Sequence, residues 1–183
     1  PDLDALIADQ ATGDHEMRAA FDHYLRGMCT TPATASLAAI VAGGRSHPSV
    51  TAILRAALDS PGTIDPAYAG IFLRRDRLRC ALLHAMARHR LDAILYPHQK
   101  TLVVPIGAEA QTERNGVLSN ATGMPAICFP AGFSTPTAQA PTGVPIGVEL
   151  LGPDWSDGRL LSYAHAFEQT SRTRVAPYFA PAL

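Results

Sequence analysis

Residues 115–153 read NGVLSNATGMPAICFPAGFSTPTAQAPTGVPIGVELLGP, and their glycines and prolines punctuate a helix, a loop and two strands. Gly123 suits a helix C-terminus, where a left-handed backbone costs nothing without a Cβ, and Pro125 prevents the helix from resuming. A short helix is expected to end there. Ala126 to Phe133 follows as a compact apolar run containing Ile127, Cys128 and Phe129. Pro130 and Gly132 near its end place it at a sheet edge or make it a strand that stops early. Residues 134–143 carry Thr, Pro, Ala, Gln and Gly without periodicity and read as a surface loop. Ile146, Val148 and Leu150 then alternate with Gly147, Glu149 and Leu151, the period of a strand, until Gly152 and Pro153 end it.

Working outward, Asp92 to Tyr96 is a short apolar run closed by Pro97, a strand that follows a helix. Downstream, a helix capped near Asp154 or Asp157 is expected to turn Leu160, Leu161, Ala164 and Phe167 one way, with Arg159, Glu168 and Gln169 nearer solvent. The first ninety residues read as helical. Asp14 is the expected cap of a helix whose apolar stripe is Phe21, Tyr24, Leu25 and Met28, ended by Thr30, Thr31 and Pro32. Thr34 is the expected cap of a short helix closed by Gly43 and Gly44, and Pro48 opens another reaching Leu58. The clearest helix has Asp65 as cap, Pro66 in the first turn and an end near His89. Its apolar positions are Tyr68, Ile71, Phe72, Leu78, Leu82, Ala85 and Met86, surrounded by Arg74, Arg75, Arg77, Arg79 and Arg88. The fold class expected is α/β, helices packed on a mixed β-sheet.

At 183 residues, with 47% hydrophobic and 17% charged residues, the chain suits one sizeable core. The expected organisation is a single domain, or the C-terminal part of a larger one, over 1–183: helical 1–91, a strand, loop and helix region 92–172, and a tail 173–183. A formal charge of -1 supplies no long-range attraction for nucleic acid or an anionic membrane, so neither is an expected partner. The arginines of the long helix, interrupted by Asp76 and without an aromatic platform, read as a solvated face. No apolar run nears the length of a spanning helix, and the amino terminus lacks the pattern of a signal peptide. Cys29, Cys80 and Cys128 are odd in number and set among apolar residues, so buried free thiols in a reducing compartment, the cytoplasm, are expected. The chain starts at Pro1 and is read as a trimmed or cleaved product.

Together these punctuation marks resemble the carboxyl-terminal region of the amidase-signature hydrolases. DAILYP at 92–97 resembles that family's strand before a substrate-lining loop. Asn120, Gly123 and Pro125 match its N-x-x-G-x-P, Pro130 and Gly132 its P-x-G, and Pro145, Gly147 and Gly152 its P-x-G-x-x-x-x-G. Leu160, Leu161 and Glu168 stand where its final helix carries two leucines and a glutamate. The match covers about 80 residues by this motif reading. Two positions depart from it: His98 stands where the family often has Thr or Ser, and Glu149 where it often has Gln.

The resemblance implies amide C–N hydrolysis through an acyl-serine intermediate, without metal or organic cofactor. In that family a serine attacks the carbonyl, a second serine on a cis peptide bond relays the proton and a lysine is the base. All three lie upstream of the matching region, and no Gly and Ser-rich segment occurs here, so no catalytic residue is assigned. The single lysine, Lys100, is read as a surface or pocket-rim residue because a base must reach its nucleophile. The chain is expected to contribute pocket walls and sheet edge. Tyr96, His98, Gln99 and Thr101 are the candidate substrate-binding residues, following the C-terminal end of a strand where α/β sheets place ligands, together with Asn120 of the matched turn. The expected partners are a small-molecule amide substrate, the N-terminal catalytic part of the same protein and a second copy of the chain. The alternative class is a non-catalytic module of the same fold that binds a small molecule or a partner subunit.

Other constellations read as structural. His84, His89 and His98 lack the spacing of a metal site, and no metal ligands are assigned. Asp76 with Glu149, or Glu109 with Glu113, would act as an acid-base pair only if brought together in a cleft. Ser119 reads as a cap of backbone groups in preference to a substrate contact.

Overall fold

A computed structural model describes residues 2–28, 31–108, 111 and 114–176. Within them lie seven α-helices, α1 (Leu3–Ile7), α2 (Gly13–Met28), α3 (Leu37–Ala42), α4 (Pro48–Asp59), α5 (Pro66–His89), α6 (Val117–Thr122) and α7 (Asp157–Ser171), and three strands, β1 (Ile94–Pro97), β2 (Ala126–Phe133) and β3 (Pro145–Leu151). The chain divides into two compact units, residues 4–77 and residues 78–183 with the first three, so the boundary falls inside α5.

In the unit of residues 4–77, Leu37, Leu54 and Ala57 form a buried cluster with Met17, Ile40, Val41 and Leu58 packed against it. Their spacing puts the apolar positions of α3 and α4 on facing sides. The caps differ in part from the sequence reading. Thr12, whose carbonyl accepts the His15 and Glu16 amides, precedes α2, and Asp14 lies inside the first turn. Ser36, not Thr34, caps α3 by accepting from the Ala39 amide at 3.1 Å. Asp65 caps α5 as expected, its carboxylate accepting from the Ala67 amide at 2.9 Å. Of the α2 stripe only Leu25 is buried, while Phe21, Tyr24 and Met28 are exposed. The arginines do more than face water: Arg74 and Arg75 each donate twice to the carbonyls of Asp9 and Gln10, which completes backbone groups that no helix satisfies.

The other unit carries the sheet. Its order is β1-β3-β2, and both ladders are antiparallel rather than the mixed pairing expected. The α/β class itself stands, with helices laid on a small sheet. β2 is an edge strand as Pro130 and Gly132 imply, and the register shifts between these two residues, where Gly132 takes φ 144°. A bulge here lets proline sit in the strand without costing a ladder bond. Strand pleating separates two faces. Ile127, Phe129, Val148 and Leu150 point one way and pack with Leu160, Ala164 and Phe167 of α7. The Phe129 and Phe167 rings meet at 5.0 Å between centroids. Leu161, expected on the same side of α7, is turned outward and exposed. α6 ends at Gly123 in the left-handed conformation, φ 69°, as the glycine and following proline imply. Arg79 of α5 donates to the Thr122 carbonyl and pairs with Asp154.

Cys80 and Cys128 are free but exposed, so the expectation of buried thiols is corrected for both. Cys29, Thr30, the Glu109 and Glu113 pair, and the tail from residue 177 onward lie outside the described residues. No helix among the described residues is long and apolar enough to cross a membrane.

Candidate functional site

The second face of the sheet carries a polar row. Tyr96 of β1, Glu149 of β3 and Cys128 of β2 are direct cross-strand partners, so antiparallel register alone sets three chemically distinct side chains abreast. Glu149, on the central strand, is buried with 2% of its surface exposed. An ionised carboxylate at such a position is stable only if donors replace water. They do. The Tyr96 hydroxyl donates to Oε1 at 2.6 Å, His98 Nδ1 lies 2.6 Å from Oε2, and the Cys128 thiol lies 3.5 Å from Oε2. Ser119 of α6 also favours the charged form of this carboxylate.

These contacts settle the electrostatics. Burial works against the charge of Glu149, but the hydrogen bonds from Tyr96, His98, Ser119 and Cys128 outweigh it and hold the carboxyl below its ordinary range. Tyr96 is pushed far above the usual phenol value by burial first and by its bond to the carboxylate next. The Cys128 thiol is likewise raised, by burial and then by the neighbouring negative charge. The stable state is therefore an ionised Glu149 carboxylate beside a Tyr96 phenol and a Cys128 thiol that keep their protons.

His98 is held from several sides. Its carbonyl accepts from the amides of Asn115, at 2.9 Å, and Gly116, at 3.2 Å, while the Asn115 side chain donates to the Pro97 carbonyl at 2.9 Å. Its ring lies so close over Gly116 that a Cβ there would come within 2.2 Å of Cε1. Only glycine leaves room for the imidazole, and the ring is thereby turned with Nδ1 toward Glu149 and Cys128.

Beside this cluster, at the end of β1 and the start of β3, an open cleft of about 590 Å³ is lined by His98, Gln99, Lys100, Thr101, Cys128 and Ile146 among others. The structure thus brings three of the five candidate residues, His98, Gln99 and Thr101, to one cleft. Tyr96 is behind them, bonded to Glu149, and Asn120 is exposed on α6 and is not a donor to that carboxylate. Lys100 lies exposed at the cleft wall, as a rim residue should. Gln99 forms a bridge with Arg114, and Gln111 accepts from the Val104 amide at 3.0 Å, which ties down the loop after β1. Sequence reading missed Glu149 and Cys128 as members of the site. The polar residue at a buried strand position was a usable signal for Glu149; Cys128 offered none.

The family model described as Amidase matches residues 28–161. Mandelamide hydrolase of Pseudomonas putida is 31% identical over 172 residues, 84% of this chain and 32% of that protein. Indoleacetamide hydrolase of Rhizobium radiobacter is 30% identical over 161 residues, 80% of this chain and 32% of that protein. Among solved structures, the native peptide amidase of Stenotrophomonas maltophilia superposes with a TM-score of 0.76 at 26% identity, covering 99% of this chain and 37% of its own. This chain spans a third or less of the length of the curated relatives it matches. With the motif order, the fold and the family match in agreement, the chain belongs to the amidase family, the amidase-signature hydrolases.

Proposed function

We propose that this chain is the carboxyl-terminal part of an amidase that cleaves amide C–N bonds through an acyl-serine intermediate. The nucleophilic serine, the relaying serine and the basic lysine come from the preceding part of the same protein, and residues 1–183 belong to one larger amidase domain with it. The chain supplies a wall of the substrate cleft: His98, Gln99 and Thr101 contact the amide's acyl or leaving group, and Tyr96 steadies them from behind through Glu149. Asn120 serves the same pocket from the matched turn. The protein works in the cytoplasm and forms homo-oligomers.

The observation that carries this reading is the His98 loop, anchored at Asn115, Gly116 and Glu149 and opening onto a cleft of about 590 Å³. A wall that firmly held selects substrates by shape and hydrogen bonding at little ordering cost. Changing His98 to Thr in the full-length protein should therefore shift relative kcat/KM among amides of different acyl size and leave the melting temperature nearly unchanged. An unchanged substrate profile with a large loss of stability would make His98 structural and sink the assignment. A second test concerns the chemistry: a serine-directed fluorophosphonate should label the full-length protein and not residues 1–183 alone. Stoichiometric labelling of the 183-residue chain would place the nucleophile here.

A further inference from the structure

We propose that Cys128, His98 and Glu149 form a binding site for a thiophilic divalent cation of the zinc class, at the edge of the substrate cleft. The inference is independent of the amidase assignment. Cys128 Sγ, His98 Nδ1 and a Glu149 carboxylate oxygen all lie within 4.8 Å of one another, on residues from β2, the loop after β1 and β3. Sulfur, imidazole nitrogen and carboxylate oxygen are the donors that zinc selects, and three protein ligands with a free fourth position are a common zinc arrangement.

The spacing fits before any ion arrives. Metal–ligand bonds of about 2.3 Å to sulfur and about 2.0–2.1 Å to nitrogen or oxygen imply tetrahedral edges of about 3.5 Å from sulfur to either neighbour and about 3.3 Å between nitrogen and oxygen. The observed edges are 3.8 Å from Sγ to Nδ1, 3.5 Å from Sγ to Oε2 and 2.6 Å from Nδ1 to Oε2. Two of three are near their final length, and the third must open by roughly 0.7 Å against that tetrahedral reference, a modest rotation of one ring or one carboxylate. The supports are in place as well. Tyr96 fixes Oε1 and leaves Oε2 toward the cluster, and the close-packed Gly116 holds the imidazole whose Nδ1 faces Oε2. Such outer contacts are what orient metal ligands elsewhere. Cys128 and His98 both line the cleft, so water, or a group of a bound molecule, reaches the fourth position.

Binding exchanges one cation for one proton. The thiol proton of Cys128 leaves to solvent, the imidazole presents an unprotonated Nδ1, and the cation sits beside Oε2. The bland alternative is a thiol and an imidazole that merely hydrogen-bond the carboxylate and ignore metal.

The two are separated by titrating the reduced, chelator-stripped full-length protein with Co²⁺ and then Zn²⁺. The proposal expects one Co²⁺ per chain giving a thiolate-to-metal charge-transfer band and tetrahedral visible absorption, both removed by Zn²⁺. In Cys128→Ser the charge-transfer band should vanish and affinity fall by more than about 100-fold, beyond the cost of losing a partner that only supports a ligand; in Tyr96→Phe affinity should fall by about 10–100-fold with the band retained. No band in the parent protein, or an undiminished one in Cys128→Ser, overturns the site. If Cys128→Ser does not fold, His98→Gln carries the same decision, since it removes Nδ1 and must weaken binding to a similar extent.

Discussion

A carboxylate at the centre of a sheet persists only while its donors remain, and Glu149 collects them from β1, β2, α6 and the loop holding His98. Truncation to Ala would leave the Tyr96 hydroxyl and its companions unpaired, and the expected loss is about 3 kcal/mol or more, the upper range for hydrogen bonds to a charged group. Glu149→Gln keeps an acceptor for Tyr96 and, with the imidazole in the tautomer whose Nδ1 accepts, offers an N–H to His98, so it should cost about 1 kcal/mol, read by urea denaturation. A loss as large in Gln as in Ala would mean that charge, not hydrogen bonding, governs the site. The sign of the pH effect follows from the lowered carboxyl: its stabilisation is complete above the ordinary value of 4.5 and is lost as the pH falls through the lowered folded-state value. The Gln variant should lack this acid-side loss, and an identical acid transition in both proteins would refute it. At this scale the sequence was partly legible. His98, Gln99 and Thr101 follow a strand end, which local pattern reveals. The meeting of His98 with Cys128 and Glu149 depends on strand register across separations of 30 and 51 residues, which no local pattern encodes.

Elements were read more fully than contacts, because glycine and proline act locally. The left-handed stop at Gly123, the cap at Asp65 and the edge position of β2 each express a constraint carried by one or two residues. Apolar periodicity was a weaker guide. It put Leu161 inward on α7 and Phe21, Tyr24 and Met28 inward on α2, yet all four are exposed in this chain, since periodicity marks a stripe without saying what covers it. Antiparallel pairing was equally hidden, for the alternation in β3 fits either direction. The face where β2 meets α7 offers a clean measurement. Phe129, buried against Leu160, Ala164 and the Phe167 ring, should cost about 3–5 kcal/mol when cut to Ala. Tyr163 on α7, 41% exposed, should cost under about 1 kcal/mol on the same change. Equal losses at both positions would mean that α7 is not anchored through the Phe129 side.

For the whole molecule the informative quantity is apolar surface left uncovered. Leu95 on an edge strand is 56% exposed, Val103 in the loop after β1 60% and Trp155 ahead of α7 95%. Single exposed apolar residues are ordinary, but several large ones, with Leu95 on an edge strand among them, invite association. Residues 1–183 alone should therefore self-associate at micromolar concentration, and the amino-terminal part supplied separately should bind them; light scattering is the check. A stable, cooperatively unfolding monomer would contradict the two-part reading. The sheet order β1-β3-β2 also has a temporal side. The central strand is the last of the three in the chain, so neither ladder can close until Leu151 has been made. At about 5–20 residues per second, the 48 positions from Pro97 to Pro145 (145 − 97) take roughly 2–10 s to synthesise. Throughout that interval on the ribosome β1 waits for β3, a window for chaperone capture that a hairpin of neighbouring strands would not have opened.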